Sequence, residues 1–223
     1  MSTSTLTYNS RRNPELTRRE ILNAALEEFA HKGLLGSRID VIVSKTNTSK
    51  RMIYYYFGSK ASLYAEVLKE SYARIRHLEI DLQTDDLEPE TALRIFIRQT
   101  LGHFEHNIEA ARIIAYENLQ CEGTTIAATP EILTLDERTL EILEGILSRG
   151  RASGVFRNDD DAPTAVDVHQ MLSALALNRI EHRGSFNALF GRDMLGAEES
   201  PRIRAMIEEA VLRLVLKKPR TWA

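Results

Sequence analysis

Cysteine, glycine and proline are all scarce in this sequence. Its 223 residues include one cysteine, eleven glycines and six prolines. The single cysteine, Cys121, excludes an internal disulfide framework and suits the reducing cytoplasm, where we expect the protein to act. So few glycines and prolines disfavour a turn-dense β-sandwich or barrel.

Long hydrophobic runs are missing as well. No stretch approaches the roughly 18 consecutive apolar residues of a membrane span, and the N-terminus lacks the apolar core of a signal peptide. We therefore expect no membrane partner. With 43% hydrophobic and 27% charged residues, the composition is that of a globular chain, and its length allows one large domain or two small ones.

The net charge of −3 hides an uneven distribution. Residues 1–60 carry ten Lys and Arg against five Asp and Glu, which leaves +5. The remainder has 29 − 10 = 19 basic and 32 − 5 = 27 acidic residues, or −8. A basic N-terminal segment on an acidic body is compatible with nucleic-acid binding, because a local patch decides phosphate contact at ordinary salt.

Apolar residues recur at helical spacing almost throughout, which predicts an all-α fold of about nine helices. The first helix is predicted to start with a capping box, in which Thr17 caps and Glu20 reaches back. The expected helices cover about 17–33, 39–45, 49–55, 60–82, 88–107, 108–120, 129–152, 161–183 and 200–218.

The spacing of the first helices predicts a helix-turn-helix. Two short helices flank the tight turn Thr46-Asn47-Thr48 and follow a longer supporting helix. We therefore expect three regions: a flexible arm at 1–13, a helix-turn-helix domain at 14–60, and a helical regulatory and dimerisation domain at 61–223.

The third helix has the pattern of a DNA-recognition helix. Lys50 and Arg51 occupy its first turn, where they can reach guanine or a phosphate, while Ile53 and Phe57 share a face that can pack behind them. Lys60 lies at the next helix N-terminus, which attracts phosphate. The alternatives are a solvated face for the two cations and core packing for one tyrosine, with Tyr56 the weakest base reader among Tyr54, Tyr55 and Tyr56.

Residues 17–63 resemble the N-terminal domain of the TetR/AcrR family of bacterial transcriptional regulators. The matching residues, in order, are Thr17, Arg18, Ile21, Ala25, Phe29, Gly33, Ile42, Ser49, Tyr54, Phe57, Lys60 and Leu63. The turn Thr46-Asn47-Thr48 departs from the family's usual Ala-Gly-Val. The resemblance implies double-stranded operator DNA as partner, and the predicted contacts are Thr17, Arg38, Ser49, Lys50, Arg51, Tyr54, Tyr55, Tyr56 and Lys60.

The resemblance also implies a ligand-responsive repressor that a small molecule releases from its operator. It implies a homodimer formed by the last two helices, and the apolar run Val211 to Leu216 agrees with a helix covered on two sides. The acidic body disfavours a strongly anionic effector, although Arg112 and Arg179 can form a local clamp for one. The predicted ligand contacts are polar and aromatic residues on apolar helices: Phe96, His103, Phe104, Tyr116, Glu117, Asn118, His169 and Asn178.

Two other classes stand against this interpretation: a helical-bundle enzyme, and a helical adaptor without DNA binding. A di-metal enzyme site needs paired Glu-x-x-His motifs, and only Glu28 and His31 form one. His103 and His106 have no carboxylate partner at metal-ligand spacing. The sequence has no GxSxG, Walker, GxGxxG or CxxC motif, so we expect no catalytic residue, metal or cofactor.

Overall fold

A computed structural model describes residues 13–80 and 84–217, which form eleven α-helices and no strand. This confirms the all-α prediction. No helix in these two ranges is both long and apolar enough to cross a membrane. The helices are α1 Pro14–Gly36, α2 Ile39–Ser44, α3 Lys50–Phe57, α4 Lys60–Ile80, α5 Pro89–His106, α6 Ile108–Tyr116, α7 Thr124–Ala127, α8 Pro130–Ala152, α9 Ala165–Glu181, α10 Arg183–Phe190 and α11 Glu199–Val215.

The first helix begins earlier than the sequence suggested, so the predicted capping box at Thr17 is wrong. Asn13 is the N-cap, and its side chain accepts a hydrogen bond from the Glu15 backbone at 3.0 Å. Pro14 takes the first helical position, where its missing N–H costs nothing. The predicted arm, apart from Asn13, lies outside the described residues.

Two helices were missed, α7 and α10. Helix α7 has only four residues, and α10 follows α9 after the single residue His182, so its start fell within the helix predicted to reach Arg183. The predicted helix reaching Gln120 instead changes at Glu117 into a π-helical turn, Glu117–Cys121. The helix predicted from Asp161 starts at Ala165, because Thr164 and Asp167 form a reciprocal capping box there.

The head, defined as α1 to α3, is built on the apolar stripe of α1. Ile21, Ala25 and Phe29 are fully buried, as their spacing predicted. The Phe29 ring meets Tyr64 of α4 edge-to-face, with centroids 5.0 Å apart. The body is defined as α4 to α11. Its first helix, α4, packs against α1 of the head and against α5, α6 and α8.

The last helix, α11, buries its apolar residues inside the chain. Val211, Leu212 and Val215 are fully buried, and α11 packs against α5 and α9. Its end is tied to the segment after α8, because the Lys217 backbone N–H donates to the Val155 carbonyl at 3.1 Å. Contacts within one chain thus account for the apolar run that suggested a helix covered by a partner.

Candidate functional site

The recognition helix α3 has one buried face and one free face. The Ser49 hydroxyl caps it by accepting from the Met52 backbone at 3.3 Å, as predicted. Ile53 and Phe57 are buried and anchor the helix to the core. Because these two share one side, the first-turn side chains Lys50 and Arg51 are left exposed to solvent. An anchored short helix with exposed polar residues at its N-terminal end can enter a DNA major groove.

The three tyrosines of α3 have different environments. Tyr55 is 77% exposed and Tyr54 is also exposed. Tyr56 is half-buried and packs against the core, which is the role that the sequence suggested for one of the three tyrosines. The rings of Tyr55 and Tyr56 lie edge-to-face at 5.5 Å, so the exposed ring is supported from behind. Tyr54 and Tyr55 are therefore the two tyrosines of α3 that lie open to solvent.

The cations of the head fall into free and paired side chains. Arg38 and Arg51 are exposed and have no ion-pair partner among the described residues. Lys50 instead pairs with Asp40 of α2 at 2.9 Å, and this hydrogen bond raises the pKa of Lys50. Ion pairs this exposed contribute little to stability. Lys50 can therefore exchange Asp40 for a phosphate at little cost.

Two predicted phosphate contacts differ in accessibility. Lys60 is the first residue of α4, half-buried and without an ion pair in the described part of the chain. Its helix start is capped by Ser59, whose hydroxyl accepts from the Ser62 backbone at 3.0 Å. Thr17 is only 6% exposed, and its hydroxyl donates to the Asn13 carbonyl at 3.3 Å. Lys60 is the better placed of the two.

Arg18 connects the head to α4, a role that sequence reasoning missed. Its guanidinium lies 2.5 Å from the Glu66 carboxylate and 5.3 Å from the centroid of the Phe57 ring. Burial alone would raise the pKa of Glu66, but hydrogen bonds from Lys69 and Arg18 bring that pKa below its usual value. One side chain thus holds α1, α3 and α4 in a common arrangement.

Four of the predicted ligand contacts lie in the interior of the body. Phe96, His103, Phe104 and Glu117 are all buried. His103 donates through Nδ1 to the Ile75 carbonyl at 2.9 Å, and Glu117 Oε1 accepts from the Thr125 backbone at 2.8 Å. His103 Nε2 and Glu117 Oε2 have no hydrogen-bond partner within the described ranges.

Three other predicted ligand contacts are engaged elsewhere. Arg76 donates to His169 Nε2 at 3.2 Å, and burial together with this cation lowers the pKa of His169 to about 4. Asn118 is exposed and donates to the Ile114 carbonyl, and Asn178 is exposed and donates to His182. The structure does not bring the eight predicted residues into one pocket.

Tyr116, the eighth residue, lines a cleft with a volume of about 770 Å³. Arg112, one of the two predicted clamp residues, lines it too, whereas Arg179 is buried in an ion pair with Glu105. The remaining lining residues were not predicted from the sequence. They are Ala30, His31, Ala115, Leu119, Ile180, Glu181, Arg183, Gly184, Asn187 and Asp193.

The described residues contain no group of three His, Cys, Asp or Glu side chains placed to hold a metal ion. His103 and His106, which are three residues apart, each direct Nδ1 to a backbone carbonyl. Their imidazoles are therefore oriented by the helix backbone.

Comparison with known families agrees with this arrangement. Residues 21–67 match the family described as bacterial regulatory proteins, tetR family, and residues 89–211 match the tetracyclin repressor-like C-terminal domain. The second match alone spans more than half of the chain. The chain belongs to the TetR family. It is a DNA-binding transcriptional regulator and not an enzyme, so both alternative classes are wrong.

Relatives with curated descriptions are regulators as well. The HTH-type transcriptional repressor NicS of Pseudomonas putida is 36% identical over 197 residues, which cover 88% of this chain and 91% of that protein. The HTH-type transcriptional repressor SCO4008 of Streptomyces coelicolor is 31% identical over 109 residues, or 49% of this chain and 53% of that one.

Solved structures share the fold at low sequence identity. A tetR-family regulatory protein from Rhodococcus RHA1 has a TM-score of 0.70 at 19% identity, covering 89% of this chain and 96% of that one. The regulator FadR of Bacillus subtilis, solved in complex with stearoyl-CoA, has a TM-score of 0.63 at 17% identity, covering 87% and 97%. These likenesses concern the fold alone.

Proposed function

We propose that this TetR-family regulator is a repressor that leaves its operator when a small molecule binds the body. One observation carries the DNA-binding half of the proposal: α3 is anchored by Ile53 and Phe57 and exposes Arg51, Tyr54 and Tyr55 together. A guanidinium on the first turn of a recognition helix suits bidentate contact with guanine O6 and N7.

The predicted operator contacts divide into two roles. Arg51, Tyr54 and Tyr55 would enter the groove, with Lys50 joining them after releasing Asp40. Arg38, Ser49 and Lys60 would hold backbone phosphates. Thr17 and Tyr56 would act mainly by packing, because both contribute to the inner side of the head. We propose 14–60 as the DNA-binding domain, 61–223 as the regulatory domain, and the cytoplasm, where operator DNA lies, as location.

We propose a homodimer through α9 and α11, the helices that correspond to the last two predicted ones. Val166 on α9 is 57% exposed and Met206 on α11 is 58% exposed, and both are apolar side chains that a partner would cover. Exposed alanines on the same two helices, Ala174 of α9 and Ala205 of α11, would allow close helix approach. A two-fold dimer places two α3 helices on half-sites separated by a multiple of about 34–36 Å.

The effector would act from the body, where the predicted ligand contacts lie. Because allosteric coupling is reciprocal, a ligand that weakens operator binding must itself bind the operator complex less tightly. Ligand affinity that is the same with and without operator would contradict release by an effector.

The operator contacts are tested with a sequence selected from a random double-stranded DNA library by the purified chain. Arg51→Ala is expected to cost about 1–3 kcal/mol of operator binding and to relax preference at one base position. Lys60→Ala is expected to weaken binding to all sequences alike and to lower the salt slope by about one.

The matched control is Arg138→Ala, which removes an exposed arginine of α8 outside the head. Its operator affinity and base preferences are expected to equal those of the unaltered chain. If Arg51→Ala and Lys60→Ala also bind like the unaltered chain, α3 is not the DNA-reading element. A chain that selects no sequence from the library would contradict the proposal as a whole.

A further inference from the structure

A cleft lies where the head meets the body. Ala30 and His31 of α1 form one wall, and α6 forms another with Arg112 and Tyr116. The end of α9 and the start of α10 close the third side. Its volume of about 770 Å³ falls within the usual range of small-molecule pockets, roughly 300–1,000 Å³.

Arg112 is the unusual side chain of this cleft. It is half-buried, yet it has neither an ion pair nor a hydrogen bond to any described residue. The other cleft guanidinium, Arg183, is already held by both oxygens of Asp193, at 2.6 and 2.7 Å. A partly desolvated cation without a partner favours an anionic ligand, since a charge removed from water gains most from a fixed counter-charge.

The remaining groups narrow the ligand class. Arg112 and Arg183 balance Glu181 and Asp193, so the lining has no net formal charge and would not favour a polyphosphate. Apolar surface surrounds Arg112, including Ala115, Ile180 and Leu119, the last of which is 80% exposed at the rim. A ligand with one negative charge and an apolar body matches both features.

We propose that this cleft binds a small organic carboxylate, held by Arg112 and covered by the apolar walls of α1 and α6. The inference rests on the proposed function, because it makes this carboxylate the effector. It places the effector at the joint between head and body, in direct contact with the helix that supports α2 and α3.

The joint offers a short path from the cleft to the head. The Tyr116 hydroxyl donates to the His31 carbonyl at 3.1 Å, so the two walls of the cleft are bonded to each other. One turn further on, the Gln120 side chain lies against Gly33, where α1 bends. In this proposal the ligand lies between α1 and α6, loosens these contacts and lets α1 move relative to the body.

The test measures acids against their neutral amides by isothermal titration calorimetry on the full chain. The probes are butanoate, benzoate, phenylacetate and indole-3-acetate, each paired with the corresponding amide. At least one acid is expected to bind ten-fold or more tightly than its amide. Arg112→Ala and the bulkier Arg112→Gln are expected to lower the binding affinity for that acid by about 10- to 100-fold, the range for loss of hydrogen bonds to a charged group.

Arg138→Ala is again the matched control and is expected to bind the acid like the unaltered chain. The proposal is overturned if every amide binds as well as its acid, or if Arg138→Ala loses as much affinity as Arg112→Ala. Circular dichroism identifies a variant that fails to fold, and the Gln variant then replaces the Ala variant.

Operator affinity is measured in the same experiment with and without the tightest acid. We expect the acid to weaken operator binding in the unaltered chain and to have no effect in Arg112→Gln. An acid that binds through Arg112 without changing operator affinity would show that the cleft is not the effector site. Failure of the repressor proposal looks different, because the chain would then select no operator in the absence of any acid.

Discussion

Replacement of Gly33 by alanine is expected to destabilise the chain by about 1–3 kcal/mol, because no other residue fits its backbone. Gly33 has φ +63° and ψ −175°, a combination essentially restricted to glycine. A Cβ built on it would lie 2.2 Å from Gln120 Oε1 and 2.7 Å from Gln120 Cδ, both far inside contact distance. Alanine at this position therefore has an unfavourable backbone conformation and also a steric clash.

A second substitution separates the two costs. The Gln120 side chain is a flexible end that can swing away, so its displacement adds less than the backbone strain. Gln120→Ala removes the clash and leaves the strain. Gly33→Ala is therefore expected to cost less free energy of unfolding when Gln120→Ala is already present. The cost that remains in that background reports the backbone strain and is expected to stay above about 1 kcal/mol.

Gly36→Ala is the matched control, three residues further along. Gly36 does not have a positive φ, and its nearest neighbour to a new Cβ is Lys32 Cβ at an ordinary 3.5 Å. Urea unfolding followed by circular dichroism at 25 °C compares the free energies of unfolding. If the free energies of unfolding of Gly33→Ala and Gly36→Ala differ by less than about 0.5 kcal/mol, then neither the backbone conformation of Gly33 nor its contact with Gln120 requires glycine at this position.

The buried polar contacts of the body supply two further expectations. The folded-state pKa of His169 is about 4, below its unfolded value, so stability should fall by about 2–3 kcal/mol as the pH falls from 6.5 to 4. His169→Gln should flatten this part of the pH–stability curve, whereas Gln170→Ala, at the exposed neighbouring position of α9, should leave it unchanged. Arg179→Ala should cost about 3–5 kcal/mol in urea unfolding, because it leaves Glu105 without its closest partner, and a loss below 1 kcal/mol would contradict a structural role for this buried pair.

Much of the candidate DNA interface could be predicted from the sequence. Ser49 caps α3, and Ile53 and Phe57 turn inwards, because capping and helical periodicity act over four residues at most. The prediction of Thr17 as the N-cap of α1 was wrong for an equally local reason, since Asn13 and Pro14 form a stronger helix start one turn earlier. Local signals were thus sufficient for helix positions to within about one turn.

The body was less predictable at the level of single residues. Glu117 and Asn118 are neighbours in the sequence, yet one is fully buried and the other exposed, because successive side chains of a helix point in different directions and only that of Glu117 meets the core. His169 has the sequence features of a ligand contact, but in the fold it lies beside Arg76, which is 93 positions away along the chain. Periodicity identifies an apolar helix, but it does not state which polar side chain on that helix already has a partner.

Composition and helical spacing predict that the chain is helical, that its first 60 residues carry a net charge of +5, and that α3 has polar side chains at its start. These properties depend on composition and on neighbours within a turn or two. Helix packing, in contrast, pairs Lys50 with Asp40, joins the head to α4 through Arg18, and leaves Arg112 in a cleft with no ion-pair partner among the described residues. The reason is physical: a side chain's partners come from whichever helices pack beside it, and packing brings together residues far apart in the sequence.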